Sequence, residues 1–263
     1  MAASSSLKIF LIGGHGKVAL HFTRAALTAG HTVVSQIRQS AHVEDLPKPS
    51  APGSGKVVPL VSSLEDLTPS QLIEYFNEHE PNVVVFSAGA GGKGGAERTF
   101  AVDRDGAVRV FDALEQWGTG KRQDFKRFLL VSAVDSRDTS QKVDWYRPED
   151  YETSKKSHEA IGTYYEAKYQ ADKDLAKRSS FPWFVLRPSR LLDDAGTSKV
   201  TIARHQAIGT PVPREDVGKV LLALAELPKG EADGQMWNLT GGDNELHGEV
   251  QEAVKRNRTD WLG

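Results

Sequence analysis

Three groups of residues in this chain of 263 have the types and spacing to do chemistry. The first is Gly13-Gly14-His15-Gly16-Lys17-Val18-Ala19, which follows an apolar run and opens an amphipathic one. Gly14-x-Gly16-x-x-Ala19, or the wider Gly13-x-x-Gly16-x-x-Ala19, reads as a dinucleotide fingerprint. A tight turn requires positive φ, a pyrophosphate requires close backbone approach, and a small third residue lets the helix pack on its strand. The helix that follows offers unpaired N–H groups and a partial positive charge to phosphates. His15 within this loop is expected to face phosphate or solvent. The second group ends the next apolar run, Val34-Ser35-Gln36-Ile37-Arg38-Gln39-Ser40. An NAD site is expected to place an acid there for the ribose 2′-hydroxyl, yet no acid occurs before Glu44. Arg38 can meet a 2′-phosphate with its planar fork and Ser40 can add a hydroxyl donor, which favours NADP(H) over NAD(H). A solvated surface arginine is the plain alternative. The third group is Tyr164 and Lys168, whose spacing puts both on one helix face with Cβ atoms ~5–6 Å apart. A core aromatic with a lysine lying along it would have the same spacing, and Tyr165 and Tyr169 compete for the inward position.

These residues need a scaffold, and the chain supplies an alternation. Lys8–Ile12, Thr32–Ile37, Lys56–Leu60, Val83–Ser87, Arg127–Ser132, Trp183–Arg187 and Met236–Thr240 read as seven strands. Several are apolar at consecutive positions, as expected of parallel strands covered by helices on both faces. Between them the period turns helical. Val18, Phe22, Ala25 and Ala26 share a face that Gly30 would end, and Thr68-Pro69-Ser70-Gln71 has the spacing of a capping box. Further helices are expected over Phe100–Leu114, Tyr164–Lys177 and Glu215–Glu226. The fold expected is α/β: a doubly wound, mainly parallel sheet of about seven strands in one domain spanning 1–263. Residues 189–213 are expected to form a small lobe on the substrate side. Ser50–Gly55, Gly118–Asp124 and Ser136–Ser157 read as loop insertions.

A second glycine cluster, Ser87-Ala88-Gly89-Ala90-Gly91-Gly92-Lys93-Gly94-Gly95, follows the fourth strand, where such sheets line their cofactor crevice. Ser87, Ala88 and Gly89 are the expected contacts, and Lys93 could approach a phosphate.

Composition removes other classes. Lys and Arg number 33 against 35 Asp and Glu, a net charge of -2, so no basic stripe invites nucleic acid or a membrane surface. The absence of cysteine excludes disulfides, thiol catalysis and Cys-ligated metals. His158 and His205 have no second ligand at metal spacing, so no metal is expected. The first residues carry no secretory pattern, and no apolar run reaches the ~18 residues of a membrane span. A soluble cytoplasmic protein is the expectation. The sequence carries no signal for oligomeric state.

Taken in order, Gly13-Gly14-His15-Gly16-Lys17-Val18, Phe86-Ser87-Ala88-Gly89, Val102-Asp103-Arg104-Asp105-Gly106-Ala107, Tyr164-Tyr165-Glu166-Ala167-Lys168, Leu186-Arg187-Pro188 and Arg214-Glu215-Asp216-Val217 resemble the atypical short-chain dehydrogenase/reductases, in their NmrA-like branch. The resemblance covers essentially the whole chain. It implies a Rossmann fold and a bound NADP(H), with Tyr164 as general acid/base and Lys168 holding the nicotinamide ribose. It also implies Ser132 as the hydroxyl that orients the substrate oxygen and Arg187 near the nicotinamide end. Related enzymes often carry the serine one or two positions later, where this chain has Ala133 and Val134. Asp103 stands where many relatives carry asparagine and is expected to brace the strand ends. Arg214 and Asp216 are expected to pair at a helix start, and Asp193-Asp194 to form a solvated turn. The activity implied is hydride transfer between NADP(H) and a small carbonyl or alcohol, the Leu191–Pro213 segment hinting at an apolar one. A non-catalytic NADP(H) sensor and a redox-neutral epimerase or isomerase are the alternatives.

Overall fold

The computed structural model describes residues 6–92, 94–119 and 122–263. Strands form at all seven expected apolar runs: β1 (Lys8–Ile12), β2 (Thr32–Ile37), β3 (Lys56–Val61), β4 (Val83–Phe86), β5 (Arg127–Val131), β6 (Trp183–Pro188) and β10 (Gln235–Gly241). Four short ones add to them: β7 (Leu191–Leu192), β8 (Lys199–Thr201), β9 (Val212–Pro213) and β11 (Asn244–Glu245). The helices are α1 (Lys17–Thr28), α2 (Pro69–His79), α3 (Gly95–Thr99), α4 (Gly106–Trp117), α5 (Pro148–Leu175), α6 (Arg214–Glu226) and α7 (Leu246–Arg256).

The main sheet among the described residues has nine strands rather than about seven, in the order β3-β2-β1-β4-β5-β6-β10-β8-β11. Every pair from β3 to β10 is parallel, and β8 runs antiparallel to both of its neighbours. The apolar residues on consecutive positions divide between two cores, because side chains alternate across a strand. Ile9, Leu11, Val83, Val85, Leu129, Phe184 and Leu186 face Phe22 of α1 and Val217, Val220, Leu221 and Leu224 of α6. Phe10, Ile12, Val84, Phe86, Phe128, Leu130 and Val185 face Phe76 of α2, Phe111 and Leu114 of α4 and Leu175 of α5. β3 is an edge strand, exposed along much of its length, and Pro59 lies within it. An edge tolerates a proline because one side of the ladder needs no donor.

The local signals act as expected in α1 and α2. Thr68 Oγ1 accepts from the Gln71 N–H at 3.3 Å, and Gln71 Oε1 accepts from the Thr68 N–H at 2.9 Å, the reciprocal bonds of a capping box. Elsewhere the structure departs from the sequence reading. Much of Ser136–Ser157 is helical: α5 begins at Pro148, and a break at Ile161 (φ -137, ψ 39) joins its polar first half to the expected Tyr164 stretch. That first half buries Asp150 and Ser154 instead of an apolar stripe. Within the expected 189–213 lobe only short strands form, β8 joining the main sheet and β7 pairing with β9. No described helix is long and apolar enough to cross a membrane.

Candidate active site

The strand order reverses at β1, whose neighbours β2 and β4 lie on either side. In such a sheet the ligand crevice opens beyond the carboxyl ends of the strands at this switch point. Here β1 gives way to Gly13-Gly14-His15-Gly16. Gly13 adopts φ +80, and a Cβ on it would lie 2.6 Å from the Ala88 Cα, so the loop rests directly on the chain leaving β4. A Cβ on Gly14 would lie 1.9 Å from Ser35 Oγ. Gln36 fastens the loop from beneath: its carbonyl accepts from the Gly14 N–H at 2.8 Å and its Oε1 from the Gly13 N–H at 3.0 Å. α1 then starts with Gly16 as its N-cap, with no side-chain cap and no acid in its first turn. Its first N–H groups therefore have no partner within the helix and carry the positive end of its dipole. This cradle fits a dinucleotide pyrophosphate. Ser87, Ala88 and Gly89 line the same crevice with Gly13, His15 and Gly16, while Lys93 lies outside the described residues.

At the β2 end, Arg38 and Ser40 are exposed, Ser40 opening a single helical turn to Val43. Arg38 lines the crevice and makes no ion pair with a described residue. His42 lies flat on His15, ring centroids 3.7 Å apart, and His15 Nε2 is 2.9 Å from Asp45 Oδ2. His15 is thus held over the crevice by Asp45. Lys17 and Val18 part company: Val18 is buried in the core, whereas Lys17 reaches Asp193 Oδ2 at 2.6 Å.

Asp193 and Asp194 are exposed, as expected of a solvated turn, and Asp193 also pairs with a second cation. Its other oxygen accepts from Arg214 at 2.6 Å, and the hydrogen bond from Lys17, with Arg214 beside it, holds its carboxyl below the ordinary range. The expected Arg214–Asp216 pair does not form. Asp216 is fully buried and instead accepts from the backbone N–H groups of Thr197 and Ser198 at 2.8 and 2.9 Å. Two turn donors satisfy this carboxylate better than one cation that Asp193 already holds.

α5 brings the third group to the ends of β4 and β5. Lys168 is buried, donates to the Val131 carbonyl at 3.2 Å and lies 3.0 Å from Asp103 Oδ1. Asp103 sits in a π-helical stretch, Phe100–Asp105, between α3 and α4, and its Oδ2 accepts from the Ala90 N–H at 2.9 Å. It therefore braces the strand end, as expected, and also pairs with the lysine. Burial works against the Lys168 ammonium, but Asp103, together with Tyr164 and Asp172, outweighs it and raises the lysine above its usual range. The Lys168 ammonium stands 5.7 Å from the ring centre of half-buried Tyr164. Burial raises the Tyr164 phenol and Lys168 pulls it down, with a net rise. Tyr164 Oη has no hydrogen-bond partner among the described residues, so it is available to a ligand.

Ser132 and Arg187 are placed differently from the implied direct contacts. Ser132 is buried and donates to Asp172 Oδ2 at 2.9 Å. Arg187, also buried, donates to the carbonyls of Ala133, Ser136 and Asp260 and lies 3.5 Å from Asp172. Both join the chain leaving β5 to α5 and the C-terminal segment. Asp172, one turn beyond Lys168, was missed in the sequence. Burial pushes its carboxyl up to about 6 against the pull of Arg187, Ser132 and Lys168. Its Tyr-x-x-x-Lys-x-x-x-Asp spacing was the available signal. No group of three or more possible metal ligands occurs among the described residues.

The comparisons with known proteins agree with this geometry. The model of the NAD(P)H-binding family matches residues 13–228. The chain belongs to this family. It is 42% identical over 222 residues to the UPF0659 protein C216.03 of Schizosaccharomyces pombe, covering 83% of this chain and 85% of the relative. It is 27% identical over 251 residues to the uncharacterized sugar epimerase YhfK of Bacillus subtilis, covering 95% of this chain and 100% of the relative. A solved structure from Bacillus halodurans, named as an NAD-dependent epimerase/dehydratase, superposes with a TM-score of 0.73 at 27% identity, covering 94% of this chain and 100% of that one. The NAD(P)H-binding family with its NmrA-like Rossmann architecture is thus the setting of the crevice, and a nicotinamide nucleotide is the cofactor the cradle fits.

Proposed function

We propose that the protein is an NADP(H)-dependent oxidoreductase acting on a small carbonyl or alcohol. The observation that carries this reading is Tyr164: a half-buried phenol with no protein partner, set beside a buried ammonium at the end of β5. When bound, the nicotinamide nucleotide supplies or takes the hydride. Tyr164 is the proton donor to the carbonyl oxygen in reduction and the acceptor in oxidation. Burial keeps its phenol protonated, which suits donation. Lys168 steadies the phenolate left behind and would hold the nicotinamide ribose, while Asp103 holds Lys168 in place. Ser132 and Arg187 act through Asp172, fixing the chain after β5 that would flank the substrate. Gly13, Gly14, Gly16 and the first N–H groups of α1 would hold the pyrophosphate, and Arg38 with Ser40 the 2′-phosphate.

A second reading, epimerisation with the nucleotide retained, is supported by the names of the two 27% identical relatives. It uses the same Tyr164 proton transfer. A screen of carbonyl compounds with NADPH separates the two, because only the first consumes NADPH stoichiometrically. In that screen Tyr164→Phe should lower turnover by about 10²–10⁴-fold, the range of a lost general acid, with nucleotide affinity retained. Full turnover in the variant would refute the proton-transfer role.

A further inference from the structure

A second set of titratable groups lies immediately beyond β5. Asp135 is buried and adopts φ +65, a left-handed conformation that aspartate tolerates better than most residues. Its Oδ1 accepts from Arg137 Nε at 2.6 Å and from the Tyr146 hydroxyl at 2.9 Å. Arg137 is itself tied down by the carbonyls of Asp138 and Gln141 and by Ser154 Oγ. Only Oδ2 turns toward α5, where His158 Nε2 meets it at 3.2 Å and the Asp135 backbone carbonyl at 3.2 Å.

Those two contacts decide the tautomer. A carbonyl oxygen and an ionised carboxylate can only accept, so Nε2 must carry the hydrogen. In the neutral ring the lone pair then belongs to Nδ1, which has no partner among the described residues and is not among the sealed, unsatisfied atoms. His158 is partly exposed, and its ring stacks on Tyr165 with centroids 4.4 Å apart. The Tyr165 ring lies in turn against Tyr164 at 5.7 Å. A carboxylate that holds Nε2–H fixes the ring and presents the Nδ1 lone pair in one direction.

We propose that His158 is a substrate-facing hydrogen-bond acceptor, fixed in its Nδ1-open tautomer by Asp135. It follows that compounds entering the site carry an O–H donor in addition to the group that exchanges hydride. This inference rests on the oxidoreductase reading of Tyr164. His158 accepts a hydrogen bond from that second hydroxyl and so selects hydroxylated substrates over plain apolar carbonyls. Asp135 is its positioning residue.

The test uses diethyl pyrocarbonate, which acylates unprotonated imidazole nitrogen, with each histidine followed by mass spectrometry in the full-length protein. In Asp135→Asn the amide oxygen still accepts from Arg137 and Tyr146, but its NH2 faces Nε2 and drives the ring to the other tautomer. His158 should then react about tenfold more slowly, the population change that one charge-assisted hydrogen bond supports, while exposed His247 is unchanged. In the wild type, saturating NADP+ together with hydroxyacetone, a carbonyl compound that also carries an O–H, should remove most of the reactivity of His158 and leave that of His247, whereas NADP+ with acetone should not. The wild-type arm needs no variant to fold. If calorimetry shows NADP+ bound and His158 reacts as before with hydroxyacetone present, the inference is overturned and the nucleotide reading stands. An unchanged rate in Asp135→Asn would also overturn it. If NADP+ fails to bind, both readings fall together.

Discussion

Replacing Asp103 by Asn leaves the shape of the side chain and the acceptor for the Ala90 N–H while removing one charge. In the wild type that charge lies 3.0 Å from the Lys168 ammonium, with both side chains at most 5% exposed. Removing one partner of a buried pair costs about 3–5 kcal/mol, because the remaining charge stays desolvated. Two features place this case near the lower figure. The Val131 carbonyl still accepts from Lys168, and Asp172 one turn away still acts on it. The upper bound has a chemical limit: Lys168 can shed its proton, which at pH 7 costs about 4–5 kcal/mol from an ordinary lysine pKa. About 3 kcal/mol is therefore expected, or roughly 6–12 °C in Tm for a chain of this size class. Urea denaturation of wild type, Asp103→Asn, Lys168→Met and the double variant closes a cycle, in which the double variant should lose clearly less than the sum of the singles. Additive losses, or a cost below about 1 kcal/mol for Asp103→Asn, would refute the ion pair.

The remaining expectations concern charge and cofactor. Asp172 has a folded pKa of about 6, above its unfolded value, so the folded state holds this proton more tightly and ionisation works against folding as pH rises from about 4 to 6. Asp172→Asn should therefore gain stability relative to wild type over that window, by up to roughly 3 kcal/mol at about 1.36 kcal/mol per pKa unit; a difference that does not change with pH would contradict the buried carboxyl. Arg38→Ala should weaken NADPH by about 10–100-fold, as for charged hydrogen bonds to a phosphate, and leave NADH nearly unchanged. Equal losses for both nucleotides would remove Arg38 from the 2′-phosphate.

The parts of the fold that were legible in the sequence are those with both faces buried. β1, β4, β5 and β6 carry apolar residues on consecutive positions because α1 and α6 cover one face and α2, α4 and α5 the other. The first half of α5 escaped because its buried positions are Asp150 and Ser154, held by polar bonds that leave no hydrophobic period. α7 was not anticipated either, for its buried face is only Leu246, Glu249, Val250 and Ala253. The short strands of two or three residues are set by their neighbours rather than by their own composition. At the site, Gly13, Gly14 and Lys168 could be found from spacing because backbone clearance and helical period dictate it. The partners of Lys17, Arg214 and Ser132 could not, since each is chosen across 21 to 176 residues of chain by the packing of distant segments.

The measurement that reaches the central claim most directly is calorimetric titration of nucleotide-stripped protein with NADPH and, separately, NADH. The crevice at the β1–β4 switch point predicts that both bind, NADPH about tenfold or more tightly through Arg38. Equal affinities would contradict the assignment of NADP(H). Binding of neither would contradict the reading of Gly13–Ala19 as a dinucleotide cradle.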